Sequence, residues 1–295
     1  MSPDDFSWLR KLLKDRSGLV LAPEKQYLAE SRLLPLARKH GMTTLAELVT
    51  RLKGPQALAL VSEVVDAMTT NETFFFRDKI PFEHVRDTIM PALIEARARE
   101  KRIRIWCTAA STGQEPYSIA MTLKAMNARL AGYTVQIVAT DLNQAVLQRA
   151  REGIYSQFEV QRGLPIQQLV KFFSQEGERW QVAPEIRDMV QFRTLNLLND
   201  FRSLGSFDLV LCRNVLIYFD QPTKIDVLTR IARQIPDDGY LVLGAAETVV
   251  GLTDLFKPAG DKRGLYVPNE EGRLAGAATA GKFAAGGRLR AAAEG

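Results

Sequence analysis

At 295 residues the chain has room for one α/β catalytic domain and a small accessory domain. Hydrophobic residues make up 46% and charged residues 25%, the composition of a soluble globular protein, and no apolar run approaches the length needed to cross a bilayer. A net charge of +5 predicts an acidic partner (nucleic acid, membrane or protein), while two histidines and two distant cysteines argue against a metal centre.

The N-terminus, Met1 to Asp5, is acidic and lacks the apolar stretch of a secretory signal, so the cytoplasm is the expected compartment. Residues 4 to about 68 read as helical. Ser2, Pro3 and Asp5 suit a helix start, and Phe6, Leu9, Leu12 and Leu13 recur at helical spacing. A second helix, about 24 to 39, carries Lys25, Arg32 and Lys39 seven residues apart, hence on one face. Pro35 is expected to kink or split it. Gly41 stops this helix, Leu45, Leu48, Val49 and Leu52 mark a third, and a fourth runs from about 57 to 68.

From Ile103 the pattern changes to strands alternating with helices. Strands are expected at 103–110, 133–140, 190–195, 207–212, 240–245 and 265–268, with helices over about 116–130, 143–151 and 221–235. Asp220 can cap the last helix, with Pro222 in its first turn. Cys107 and Cys212 fall inside two strands, as small packed side chains. The alternation predicts an α/β fold with a doubly wound, mostly parallel sheet, its final strand pairing antiparallel. A stretch from about 165 to 189, with Trp180-Gln181-Val182 as a strand candidate, reads as a small β insertion. The Ala- and Gly-rich segment from 269 to 295 reads as a disordered tail. The expected division is a helical domain over 1–70, a sheet domain over 71–268, and that tail.

Four stretches are placed to carry chemistry. The loop Ala109 to Pro116 follows the first strand and opens a helix, but has one glycine, so it is not a pyrophosphate-wrapping G-x-G-x-x-G. Glu115 in it suits a cationic ligand, or else complements the helix dipole. Asp141 ends the second strand and either accepts both hydroxyls of a ribose or caps the next helix, a duty Asn143 can equally fill. Together the two acids favour a nucleoside cofactor without demanding phosphate, adenosylmethionine rather than NAD. Arg213 to Asp220 follows the strand at 207–212 and lacks both the [DN]-P-P-[YF] signature of amine methylases and the Pro-Cys pair of ring-carbon methylases. A carboxylate acceptor fits that lack, being already ionised and nucleophilic at neutral pH. The fourth stretch, Thr69 to Asp78, sets three phenylalanines beside Asn71, Thr73 and Arg77; a hydrophobic staple between domains accounts for some of the phenylalanines but not for the polar residues.

These stretches together resemble the chemotaxis receptor glutamate methyltransferases, the CheR family. The likeness covers nearly all of residues 5 to 268 and is carried by TTNETFFFRD (69–78), RIWCTAASTGQEPYSIAM (104–121), ATDLNQAVLQRAREGIY (139–155), FRTLNLL (192–198) and FDLVLCRNVLIYFDQPTK (207–224). It implies a class I methyltransferase-like (Rossmann-like) sheet domain that takes S-adenosylmethionine and releases S-adenosylhomocysteine. The implied cofactor contacts are Asn71, Thr73 and Arg77 in the first motif, Glu115, Asp141, the pair Asn196 and Leu197, and the pair Arg213 and Asn214. Arg77 and Tyr218 are implied to orient the reacting groups. The substrate implied is a glutamate on the acidic cytoplasmic helical bundle of a chemoreceptor, with the Lys25–Arg32–Lys39 face docking it. A monomer without metal or nucleic-acid partner is expected. Some members carry a β subdomain that docks a receptor C-terminal peptide; here Ser174 to Met189 looks a few residues shorter, so no tethering peptide is expected. The rival is a nucleic-acid methyltransferase, which only the basic charge favours.

Overall fold

In the computed structural model, which describes residues 1–274, α1 (Pro3–Ser17) begins where the Ser2 hydroxyl accepts a hydrogen bond from the Asp5 N–H. It ends at Gly18, whose φ of 77° turns the chain out of the helix. Next, α2 (Gln26–Lys39) runs through Pro35 as one helix, so of the expected kink or split the split does not occur. Pro35 lies on the exposed side with Ser31, so the lost backbone bond faces water, while buried Ala29, Leu33 and Ala37 hold the helix down. Finally, α3 (Leu45–Leu52) and α4 (Leu58–Met68) close a helical unit whose core includes Leu9, Leu13, Leu33, Leu48 and Val64.

The prolines Pro81 and Pro91 stand in the first turns of α5 (Ile80–His84) and α6 (Met90–Ala96), two helices joined by a π turn that the periodicity did not disclose. The chain then passes through β1 (Arg102–Cys107), α7 (Gln114–Ala125), β2 (Thr134–Asp141) and α8 (Gln144–Glu152). A side unit follows, made of β3 (Ile154–Ser156), α9 (Gln157–Gln161), α10 (Ile166–Phe172), β4 (Phe173–Glu176), β5 (Arg179–Val182) and α11 (Pro184–Arg187). The order finishes with β6 (Val190–Thr194), β7 (Leu209–Cys212), α12 (Gln221–Ala232), β8 (Tyr240–Leu243), β9 (Phe256–Pro258) and β10 (Leu265–Pro268).

Seven strands form the main sheet in the order β6-β2-β1-β7-β8-β10-β9. The first five run parallel, and β10 pairs antiparallel with both β8 and β9. Ile103, Ile105, Trp106 and the whole of Leu209–Cys212 are buried, as a parallel sheet covered on both faces requires. Because β1 lies between β2 and β7, the winding reverses there, and the loops leaving β1 and β7 flank a crevice at the carboxyl edge.

Three expectations need correction. The insertion starts at Ile154 rather than about 165, because β3 belongs to a three-stranded antiparallel sheet, β3-β5-β4, through pairing with Arg179–Val182. A short strand, β9, lies between the expected strands at 240–245 and 265–268, where none was expected. The start of the expected tail is ordered: Glu270 to Leu274 make a helical turn, and Arg273 donates to the Ala232 and Ile235 carbonyls and pairs with Asp237. The rest of that tail, 275–295, lies outside the described residues. No helix among the described residues is long and apolar enough to cross a membrane.

Candidate active site

Three loops at the carboxyl edge of the sheet build the site. The first leaves β1 and turns at Gly113 with φ 96°; a Cβ there would lie 3.0 Å from the Ala150 Cβ and 3.1 Å from Tyr117 and Tyr155. Its Ser111 N–H donates to Asp141 Oδ2 at 2.8 Å, and the Ser111 hydroxyl donates to the Asn71 carbonyl at 2.7 Å. Asp141 also accepts from the Asn143 N–H at 3.0 Å, whereas Asn143 itself caps α8 by accepting from Ala145 and Val146. The capping role thus belongs to Asn143, which leaves Asp141 to line the cavity. Burial pushes the Asp141 carboxyl above its ordinary range, opposed by the N–H donors of Asn143 and Ser111.

Glu115 stands in the first turn of α7, buried, and accepts from Arg213 Nη1 at 2.6 Å. Arg213 Nη2 reaches Asp78 at 2.8 Å and the Arg77 carbonyl at 2.9 Å. Burial raises the Glu115 carboxyl above its ordinary range, with the Arg213 guanidinium opposing the shift. The buried Cys107 thiol lies beside the same carboxylate. Thr108 Oγ1 and Arg213 Nε are buried and unpartnered.

The polar residues of Thr69 to Asp78 lie around the same space. Arg77 donates to the Glu72 carbonyl at 2.9 Å and rests over the Phe74 ring. Phe75, fully buried, packs edge-on against Tyr155 and Phe173 of the side unit and belongs to the sheet-domain core rather than that of the helical unit, so the reading as a staple between domains does not hold for it.

One cavity with about 940 Å3 of empty space, part of it open to solvent, is lined by Asn71, Thr73, Arg77, Glu115, Asp141, Asn196, Leu197, Arg213, Asn214 and Tyr218. Every expected cofactor and orienting residue therefore meets at one place. Ser17 and Leu19 of the helical unit complete the wall. Three bonds fix that seam: the Val20 N–H donates to the Tyr218 carbonyl at 2.9 Å, Asn196 Nδ2 donates to the Arg16 carbonyl at 2.7 Å, and Lys14 pairs with Asp220 at 2.6 Å. Asn196 thus spends its side-chain amide on the seam. The Tyr218 hydroxyl has no protein partner among the hydrogen bonds of the described residues.

The three basic residues expected to dock a substrate part company. Lys25 is exposed at the head of α2. Arg32 turns inward and donates to the Met68 carbonyl at 2.7 Å and to Thr69 and Thr70 at 3.2 Å, satisfying carbonyls left over at the end of α4. Lys39 pairs with Glu63 at 2.7 Å. Periodicity placed these residues on one side but did not disclose the carbonyls that claim Arg32.

Sequence reasoning missed Glu247, whose buried carboxylate accepts N–H groups from the loop after β7. The available signal was an acid four residues beyond β8, at the same sheet edge as Glu115 and Asp141.

The residues present fit a cationic nucleoside: an acid at the end of β2, a second, buried acid in the first turn of α7, and two orphaned polar atoms, Thr108 Oγ1 and Arg213 Nε, beside it. Among the described residues no group of three or more His, Cys, Asp or Glu side chains is placed to hold a metal ion. Residues 71–265 match the family model described as the SAM binding domain of CheR methyltransferase, and residues 4–69 match that of its all-alpha domain. Chemotaxis protein methyltransferase 1 of Pseudomonas aeruginosa is 45% identical over 257 residues, 86% of this chain and 93% of that protein. Cher2 of Pseudomonas putida is 43% identical over the same shares, and the Escherichia coli chemotaxis protein methyltransferase 35% identical over 87% of this chain and 88% of its own. With both units matched and the predicted contacts gathered in one cavity, the chain belongs to the CheR methyltransferase family, as an enzyme that methylates with S-adenosylmethionine.

Proposed function

We propose that this methyltransferase esterifies glutamate side chains on the cytoplasmic helices of chemoreceptors. The observation that carries the reading is the pairing of a donor cavity with an unpartnered Tyr218 hydroxyl and no histidine beside it. A glutamate side chain, with an ordinary pKa near 4.3, arrives ionised and needs no base. An amine or ring carbon would need polarisation or a nucleophile that the cavity does not offer.

When bound, S-adenosylmethionine supplies an electrophilic methyl group on a positive sulfur. Asp141 would hold the ribose hydroxyls, and the Glu115 carboxylate the ammonium end. Tyr218 would donate to one carboxylate oxygen of the substrate and leave the other to attack in line. Opposite charges cancel along that path, so a site that excludes water favours it. Leu19, Leu195, Leu197, Val215 and Phe219 supply the apolar wall. Arg77, resting beside the cavity, would draw in the carboxylate. Alignment of the two reactants contributes the remaining several kcal/mol.

Lys25 and Lys39 are the basic residues left to meet an acidic receptor helix, with Arg32 bracing the Thr69–Asn71 loop from behind. The chain acts as a monomer and needs no receptor tethering peptide. Micromolar binding of a receptor C-terminal pentapeptide would refute the last point. The central test is incubation with labelled donor and receptor cytoplasmic fragments, followed by mild base. Label released as methanol supports the ester; base-stable label, or transfer to RNA, overturns it.

A further inference from the structure

The Glu247 carboxylate gathers more backbone donors than any cavity acid. Its Oε1 accepts from the N–H groups of Val215 (2.9 Å), Leu216 (2.7 Å) and Ile217 (3.3 Å). Its Oε2 accepts from Asn214 (2.7 Å) and Gly244 (2.8 Å). Four consecutive amides thus converge on one buried anion, as they would on a bound phosphate, with a fifth arriving from the strand next door. The packing leaves room for nothing else: a Cβ on Gly244 would lie 2.7 Å from Glu247 Oε2 and 2.9 Å from Asn214 Nδ2.

This loop carries the working residues. Asn214 holds a left-handed φ of 58°, a conformation that needs outside support even in asparagine, and Tyr218 follows at the end of the turn. Glu247 is not among the residues lining the cavity. We infer that Glu247 is a positioning residue: its carboxylate locks the Asn214–Ile217 turn so that Asn214 faces the donor and the Tyr218 hydroxyl faces the acceptor. This rests on the roles given above to those two residues. A buried carboxylate with five N–H partners is satisfied in hydrogen bonding, and without it all five, two of them in fully buried bonds, would lose their acceptor.

Glu247→Gln alters one atom and serves as the test in the full chain. Whichever way the amide turns, two or three of the five N–H groups face a donor in place of an acceptor. Three readouts apply: methyl transfer to a receptor fragment, the KM for that fragment, and amide hydrogen exchange. The expected result is a fall in kcat of about tenfold or more with KM changed by less than about twofold, the split that marks a transition-state loss. Exchange should quicken at residues 214–217 and 244 and stay unchanged in β1 and β2. Glu247→Asp keeps both oxygens on a shorter stem and should recover part of kcat; it also carries the test if the glutamine variant does not fold. Near-normal kcat in Glu247→Gln overturns the inference, as does quickened exchange spread evenly over the sheet. Wild-type protein that binds S-adenosylhomocysteine but esterifies no receptor would sink the function proposed above, and the exchange pattern would still judge Glu247.

Discussion

Asp66, on α4, stands close enough to Asp141 and Glu63 to feel both charges, and burial together with those neighbours lifts its pKa to about 6. The folded chain then holds the Asp66 proton more tightly than the unfolded chain, whose carboxyl titrates near 3.8. Stability contributed at this residue therefore falls as pH climbs from about 4 to about 6 and stays reduced above that. Asp66→Asn should raise the melting temperature at about pH 8 and leave it unchanged at about pH 4, by thermal scans in the two buffers. Tyr218→Phe removes a hydroxyl without changing ring volume, so turnover should drop by about tenfold while calorimetric affinity for S-adenosylhomocysteine holds. Arg77→Ala should weaken both. Asp141 was legible in the sequence because it ends a parallel strand, and Glu115 because it opens the helix that follows the first strand's loop. Arg32 and Glu247 were not, because their partners are backbone atoms tens of residues away.

Among the elements, the C-terminal turn of α1 is the one whose failure would reach the chemistry. Gly18 sits there with φ 77°, and a Cβ would lie 2.7 Å from the Phe219 ring, next to Tyr218. Gly18→Ala combines a left-handed alanine with that clash and should cost about 1–3 kcal/mol, measured by urea unfolding. Turnover should fall as well, since Phe219 cannot yield without moving the Tyr218 turn. The strands flanking the crevice were readable because β7 is a buried apolar run, Leu209–Cys212, and β1 carries buried Ile103, Ile105, Trp106 and Cys107. By contrast, β3 and β9 have three residues each and exist by virtue of their pairing partners. The helices at 80–96 escaped notice because each opens on a proline, which reads locally as a break although it fits a first turn.

At the scale of the molecule, the donor cavity is walled by both units, with Ser17 and Leu19 from one side and the sheet-edge loops from the other. A ligand bound there stabilises the two together. S-adenosylhomocysteine at about 100 times its Kd should add about 2.7 kcal/mol and draw unfolding into a single transition, as calorimetry would record. The overall architecture was legible from alternation alone. The seam was not, because Val20 to Tyr218 and Arg16 to Asn196 are contacts between residues almost two hundred positions apart. That seam has a bearing on any attempt to swap parts between relatives. A chimera spliced near residue 70 would import a foreign connector beneath a resident tyrosine turn, and its register of carbonyl to amide would have to be inherited intact. The smallest transplantable piece is therefore the helical unit together with residues 196 and 218–220, for the active site straddles the cut.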